Sequence, residues 1–229
     1  MKRRLFAGLF LLFALGFVGL GVWQVERRAW KLQLIAEVDA RIHAAPELLT
    51  ALRGLGPADA YRHVEARGVL LNDRETYVQA VTDQGPGWWV MTPLDTGSGV
   101  ILINRGFVPT ERRDPRTRPG GERLGVVTIK GLVRASEPGG AFLRANNPGV
   151  GRWYSRDVVA IGRARGLGEV APVFIDADAT PNPGGYPLGG LTVVKFRNAH
   201  LVYALTWFAL AALCLLGVKL VLGRKAEAS

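Results

Sequence analysis

The chain has 229 residues, enough for one domain of ordinary size with its own core and some additional elements. Lys and Arg outnumber Asp and Glu by 29 to 19, but the arginines are scattered, and many flank apolar segments or lie in the stretch TERRDPRTRPGGER. This pattern is typical of solvated loops near anionic lipid and argues against nucleic-acid binding. The hydrophobic fraction of 48% is concentrated at the two ends of the chain, which predicts a membrane protein.

The first apolar segment, residues 5–25, contains 21 consecutive residues without a charge. A helix of this length rises about 30 Å, which matches the hydrocarbon core of a bilayer. The segment is longer than the core of a usual signal peptide, and the sequence GVWQVE at its C-terminal end lacks a small-x-small cleavage site. We therefore expect a retained transmembrane helix that follows a cytoplasmic N-terminus at residues 1–4.

The helix is expected to continue beyond this span as a juxtamembrane segment. Trp30, Leu34, Val38 and Ile42 recur there at helical intervals. Pro46 cannot extend a helix, so the helix is expected to end before it.

A change from helical to alternating hydrophobic period marks the middle of the chain. In the first alternating segment, Val64, Ala66, Gly68 and Leu70 share one face of a predicted strand. Seven segments rich in Val, Ile, Thr and aromatic residues, separated by Gly or Pro, are predicted as strands: 61–71, 75–81, 88–94, 99–108, 124–134, 171–177 and 191–197.

The intervals between these segments indicate how the strands pair. Most are too short for a crossover helix, so the sheet is expected to be mostly antiparallel. A short helix is predicted at residues 158–168. The fold class is therefore an α+β membrane protein, in which two transmembrane helices flank a barrel-like or sandwich-like β domain at residues 26–199.

The second apolar segment predicts a transmembrane helix at residues 200–222, before a C-terminal tail at residues 223–229. Its residues 201–218 carry no charge, and the stem of Lys219 can extend to the far boundary. The single cysteine, Cys214, lies in this segment, so no intrachain disulfide can form.

Two spans place both termini on the same side of the membrane. Long loops translocate largely regardless of charge and the N-terminal KRR acts first, so we expect cytoplasmic termini and a periplasmic β domain in a bacterial inner membrane. The margin of six basic residues to five is small. The six are Lys2, Arg3, Arg4, Lys219, Arg224 and Lys225, and the five are Arg27, Arg28, Lys31, Lys195 and Arg197.

Signatures of catalysis are missing from the sequence. It has no Gly-x-Ser-x-Gly elbow, no phosphate-binding Gly-rich loop before a helix, no cysteine pair and no His-x-x-x-His. Asp176 and Asp178 are interpreted as turn residues rather than as a catalytic carboxylate pair. We therefore do not expect an enzyme.

His200 stands out among the three histidines because it precedes the second span. Asn198 is predicted to cap that helix, which places His200 in the first helical turn. The positive end of the helix dipole disfavours an imidazolium there, and the neutral imidazole is the form that binds metals, including haem iron. The alternative is an interfacial histidine that anchors the helix with its polar tip.

Two further aromatic residues share the helical stripe of His200. Tyr203 and Trp207 follow at positions i+3 and i+7. The stripe either lines a flat ligand or packs against the first helix. Trp23 lies where an aromatic belt forms at the membrane surface.

Six motifs in order resemble the surfeit-locus-one family of cytochrome c oxidase assembly factors along nearly the whole chain. They are WQVERRAWK (with Trp23, Gln24 and Arg27), YRHVEARGVLL, GPGWWVMTPL, VILINRGFVP (with Asn104, Arg105 and Gly106), NNPGVGRWYSRDV (with Trp153, Tyr154 and Asp157) and the closing stretch GGLTVVKFRNAHLVYALTWFALA (with Asn198, His200, Tyr203 and Trp207). Phe107 stands where the family also has Trp, and Ser155 lies within the Trp-Tyr-x-Arg-Asp block.

The resemblance implies that the protein binds haem a and assists its insertion into oxidase subunit I. It implies His200 as the iron ligand, with subunit I, the haem a synthesis machinery and membrane lipid as partners. The alternative is a scaffold that stabilises oxidase assembly intermediates without binding cofactor. A polysaccharide chain-length regulator also has two spans, but it needs long helices where this chain is rich in Gly and Pro.

The residue types in these motifs also predict local structure and pairing. Gly106 allows a positive φ or a β-bulge. Arg105 pairs either a haem propionate or a carboxylate at a barrel corner. Arg156 and Asp157 pair with each other or across the sheet, and Trp153 is expected in the core.

Overall fold

The structure is a computed structural model that describes residues 2–141, 143–194 and 196–223. The chain forms two compact units, one from Met1–Val38 with Val194–Ser229 and the other from Asp39–Val193. The helices are α1 (Lys2–His43), α2 (Val158–Ala164) and α3 (His200–Gly223). The strands are β1 (Glu47–Leu48), β2 (His63–Leu70), β3 (Thr76–Thr82), β4 (Gly85–Asp95), β5 (Val100–Pro109), β6 (Val126–Ala135), β7 (Gly140–Ala141), β8 (Arg144–Ala145) and β9 (Val170–Ala177).

Helices α1 and α3 are both long and apolar enough to cross a membrane. Only 17% of the most apolar window of α1 and 11% of that of α3 is buried, so their leucines face outward. Helices that are apolar on all sides need apolar surroundings, which suggests membrane association. As predicted, α1 continues without a break to His43 and ends before Pro46.

Buried small residues recur along one face of α1 and one face of α3. Ala7, Ala14 and Gly21 recur at intervals of seven on α1, and Ala204 and Ala211 are seven residues apart on α3; all five are buried. Small residues at this spacing are typical of the face through which a membrane helix packs against another helix.

Aromatic contacts fix the antiparallel register of the two helices. The rings of Phe17 and Trp207 stack with centroids 5.6 Å apart. Towards the N-terminus of α1, the ring of Phe10 lies against Gly217. A Cβ atom at Gly21 would lie 2.5 Å from the ring of Phe208, so this position accepts no side chain without movement.

The strands of the second unit form a closed barrel. Strands β2, β6, β9, β5 and β4 pair in that order, and β2 pairs again with β4 to close the ring. Strand β3 extends the sheet beyond β4, and β1 pairs with β2. Two pairings, β1–β2 and β5–β9, are parallel and the others are antiparallel, so the expected mostly antiparallel sheet is confirmed.

Alternation in the sequence correctly predicts the buried face of β2. Val64, Ala66, Gly68 and Leu70 are buried and their neighbours are not. Val64, Ala66 and Leu70 form one hydrophobic cluster with alternate residues of β5, β6 and β9. A second cluster packs α2 and Trp153 against the other face of the sheet.

The last predicted strand, residues 191–197, is wrong. Residues 191–194 and 196–197 form no strand, and Lys195 lies outside the described residues. A strand needs a neighbour with unpaired backbone groups, but β5, β6 and β9 already have partners on both sides. The other six predicted strands are present, and the helix predicted at 158–168 ends at Ala164.

Gly106 produces a bulge in β5. Trp89 pairs with Phe107 and Met91 pairs with Asn104, so Arg105 and Gly106 together oppose one residue of β4. Gly106 has φ +124°, and a Cβ atom there would collide with the backbone carbonyl of Leu188. Both observations explain why this position in the INRGF motif requires glycine.

We therefore expect Gly106→Ala to destabilise the barrel. The unfavourable φ alone costs about 1–3 kcal/mol, and displacement of the backbone at Leu188 adds to it. The free energy of unfolding of the detergent-solubilised protein, followed by tryptophan fluorescence, measures the loss.

Gly97→Ala is the matched control, because Gly97 also has a positive φ but a Cβ atom there meets nothing within 4 Å. Equal losses in the two variants would contradict the argument from the collision with Leu188.

Candidate functional site

His200 hydrogen-bonds to the other apolar helix. Its Nδ1 lies 2.7 Å from Oε1 of Gln24. A carboxamide oxygen only accepts hydrogen bonds, so Nδ1 donates and carries the ring proton. In the neutral ring Nε2 then keeps its lone pair, and within the described residues it has no hydrogen-bond partner. A free Nε2 is the nitrogen that a metal ion would bind.

Helix packing brings these two side chains together. Gln24 lies one turn after Gly21, on the same face of α1, and is half-buried. His200 lies one turn before Ala204 on the facing surface of α3 and is also half-buried. The side-chain oxygen of Gln24, in the WQVERRAWK motif, therefore accepts a hydrogen bond from the imidazole of His200, in the closing motif.

The other aromatic residues of the stripe separate in the structure. Trp207 packs against α1 through its stack on Phe17, which is the packing alternative. Tyr203 is 56% exposed. On α1, Trp23 is also exposed, and the guanidinium of Arg27 lies 4.0 Å from the centre of the Trp30 ring.

The predicted cap of α3 by Asn198 is wrong. The helix begins at His200, and the backbone N–H of Tyr203 donates to the carbonyl of Ala199. Ala199 therefore occupies the capping position, one residue later than predicted. The Oδ1 atom of Asn198 is buried and has no hydrogen-bond partner among the described residues.

A cleft of about 470 Å³ on the barrel surrounds Asp176. The Asp176 carboxylate accepts from Nδ2 of Asn104 at 2.8 Å and from Arg156 at 3.1 Å, and it lies 3.5 Å from Arg134. Asp176 lies in β9 rather than in a turn, so its interpretation as a turn residue is wrong. Asp178 does form a turn, since it accepts from the N–H of Thr180.

Arg156 and Asp157 do not pair with each other. Arg156 pairs with Asp176 of β9 and with Glu137, whose carboxylate lies 2.5 Å away. Burial alone would raise the pKa of Glu137, but the hydrogen bonds and charge of Arg156 hold it below its usual value. Asp157 caps α2 by accepting from the N–H of Ala160.

The remaining residues of that block are structural. Trp153 is buried, as predicted, and its carbonyl accepts from the N–H of Gln79 on β3. The N–H of Tyr154 donates to Oδ1 of Asn146.

Glu75 holds two buried guanidinium groups. Its carboxylate lies 3.2 Å from Arg105 and 2.5 Å from Arg118, and it accepts from the hydroxyl of Tyr77. Burial lowers the pKa of Arg105, and the charge of Arg118 acts in the same direction against that of Glu75. Burial and the Glu75 charge raise the pKa of Tyr77.

Arg105 therefore forms the barrel ion pair rather than an exposed site for a haem propionate. Its side chain is 1% exposed, and it also donates to the carbonyl of Gly121 and to Asn182. Sequence reasoning missed Glu75 and Arg118, because a single acid after a turn and one arginine in a basic loop carry no distinguishing pattern.

No group of three His, Cys, Asp or Glu side chains suited to a metal ion occurs in the described part of the chain. His43 and His63 each place Nδ1 at a backbone carbonyl, those of Asp39 and Ala44. His200 is thus the histidine whose ring is held by a side chain of another helix.

Comparison with known proteins gives a consistent match. Residues 11–212 match the model of the SURF1 family. The chain is 40% identical to Surfeit locus protein 1 of Rattus norvegicus over 215 residues, which covers 85% of this chain and 68% of the rat protein. It is 40% identical to the Homo sapiens protein of that name, over 85% of this chain and 70% of the human protein. A SURF1-like protein of Monosiga brevicollis is 39% identical over 86% of this chain and 80% of its own length.

We expect Glu75→Gln to destabilise the barrel by about 3–5 kcal/mol, because it leaves two buried arginines without their counter-charge. Denaturant unfolding of the detergent-solubilised protein measures this loss.

Glu65→Gln is the control. Glu65 pairs with Lys130 at 3.7 Å on the surface, so its loss is expected to cost less than about 1 kcal/mol. A Glu75→Gln variant as stable as this control would contradict the role of Glu75.

Proposed function

The chain belongs to the SURF1 family, and from that premise we propose that it is an assembly factor for terminal cytochrome c oxidase. The match spans most of both apolar helices and the whole barrel. It supports the resemblance inferred from the six sequence motifs. Oxidase subunits that are not yet assembled are the proposed partners, subunit I first among them.

The proposed location is a bacterial inner membrane with the barrel in the periplasm. The outward-facing apolar side chains of α1 and α3 support membrane insertion. The basic N-terminus, Lys2–Arg4, supports cytoplasmic termini. Arg224 and Lys225, which also bear on orientation, lie outside the described residues.

We further propose that His200 binds the iron of haem a. The hydrogen bond from its Nδ1 to Gln24 carries this proposal, because in the neutral ring it leaves Nε2 free to bind iron at the start of an apolar helix. This donor fits a haem, which when bound supplies an iron that accepts one imidazole nitrogen. A ligand at the membrane surface also allows the farnesyl tail to remain in lipid.

The proposed role is that of a carrier. His200 holds the cofactor through one protein ligand, and a single ligand is exchanged more readily than two. The protein would release haem a to subunit I, and the haem a synthesis machinery is the proposed donor. This role requires binding and release but no catalysis.

We expect the wild-type protein, purified in detergent from cells that make haem a, to carry haem visible in its absorption spectrum. His200→Ala is expected to lose most of this pigment, because no other histidine is placed to replace it. Haem per protein, measured as the pyridine haemochrome, checks the loss.

His43→Ala is the matched control, since the His43 side chain is 73% exposed on α1 and is expected to keep wild-type pigment. A colourless wild type that restores oxidase assembly to a deletion strain would support the scaffold alternative instead. Full haem occupancy in His200→Ala would exclude His200 as the ligand.

The proposed orientation is tested by fusions to alkaline phosphatase, which is active only in the periplasm. Fusion after Val193, at the end of the barrel unit, is expected to be active. Fusion after Ser229 is expected to be inactive, while green fluorescent protein at that position fluoresces. The reverse pattern would contradict the orientation and leave the family assignment intact.

A further inference from the structure

We propose that Gln24 is a positioning residue that holds the His200 ring with Nε2 directed to a haem iron. This inference rests on the haem-binding role proposed above. Gln24 of the WQVERRAWK motif on α1 then belongs to the same site as the proposed iron ligand, His200 on α3.

The hydrogen bond determines which ring nitrogen is free. Nδ1 of His200 is 2.7 Å from the Gln24 amide oxygen, so the proton of the neutral ring lies on Nδ1. Histidine ligands in metal sites commonly donate their second N–H to a fixed acceptor, which sets both ring orientation and tautomer. Gln24 occupies the place of that acceptor.

Packing on either side keeps Gln24 in reach of the ring. The stack of Phe17 on Trp207 fixes the rotation of α3. The ring of Phe208 fills the space that a side chain at residue 21 would need, so the helices lie close one turn from Gln24. The acceptor is therefore held by the helix contact itself.

The Gln24 amide is uncharged, which suits a carrier in which His200 must release the haem. A carboxylate acceptor would form a charge-assisted hydrogen bond and make Nε2 more basic, which strengthens binding of ferric iron. An amide orients the ring with a smaller effect on its basicity. Gln24→Glu is therefore expected to change ligand strength while keeping the contact.

The other two histidines lack such an arrangement. His43 bonds to a carbonyl in its own helix, and His63 bonds to a carbonyl in the chain just after that helix. Nδ1 of His200 instead meets a side chain 176 positions away in the sequence. The contact thus depends on the assembled helix pair.

The first test requires no haem. In ¹⁵N NMR of the full-length protein in detergent, labelled at histidine, comparison with His200→Ala assigns the His200 signals. We expect the Nδ1–H tautomer in the wild type and in Gln24→Glu. Gln24→Leu removes the acceptor and is expected to shift the ring towards the Nε2–H tautomer.

The second test titrates the same proteins with hemin. Gln24→Leu is expected to weaken binding about 10–100-fold. Gln24→Glu is expected to bind ferric hemin more tightly, release it more slowly and lower its midpoint potential. Gln33→Leu, at an exposed position of the same helix, is the matched control and should behave as the wild type.

The outcomes separate this inference from the proposed function. An Nε2–H tautomer in the wild type overturns the positioning role, as do Gln24 variants that bind hemin with wild-type affinity and potential. If the wild type binds hemin in that case, the proposed function stands. A wild type that binds no hemin overturns both. Because Gln24→Glu keeps an acceptor, it remains informative even if Gln24→Leu fails to fold by circular dichroism.

Discussion

The pairing of α1 with α3 is the constraint on which the candidate site depends. In a bilayer, water does not drive two apolar helices together, so their contact relies on shape and on a few polar bonds. The ring of Phe208 beside Gly21 and the stack of Phe17 on Trp207 supply the shape. The bond between Gln24 and His200 is the polar contact at one end of this interface, and it joins packing to ligand chemistry.

The barrel motifs have a different task. Asn104, Gly106 and Asp176 shape one cleft, and Arg105 and Glu75 stabilise the interior beside it. Asn104 and Asp176 bond to each other, and Arg105 pairs with Glu75, within the barrel. The motifs that carry the family resemblance in the middle of the chain thus specify the fold, whereas the proposed ligand and its support come from the helices at the two ends.

Patterns of local origin could be predicted from the sequence, and contacts between distant segments could not. The alternation of apolar residues in β2 correctly predicted its buried face, and Pro46 correctly predicted where α1 ends. Both patterns reflect local backbone geometry. The strand predicted at 191–197 failed because a strand needs an open sheet edge beside it, and local composition does not show where the barrel leaves one. The position of His200 was recognised from its setting, but its bond to Gln24 depends on the register of two helices far apart in the chain.

The ion pair between Glu75 and Arg118 also affects the resistance of the protein to proteolysis. The basic stretch at residues 110–123 has the composition of a loose loop, and trypsin-like enzymes cut at arginines in segments that can extend freely. Here Arg118 is anchored in the barrel, Arg105 holds the carbonyl of Gly121, and Arg112 folds back onto the carbonyl of Thr117. A segment rich in cleavable bonds is thereby kept out of the extended form that digestion requires.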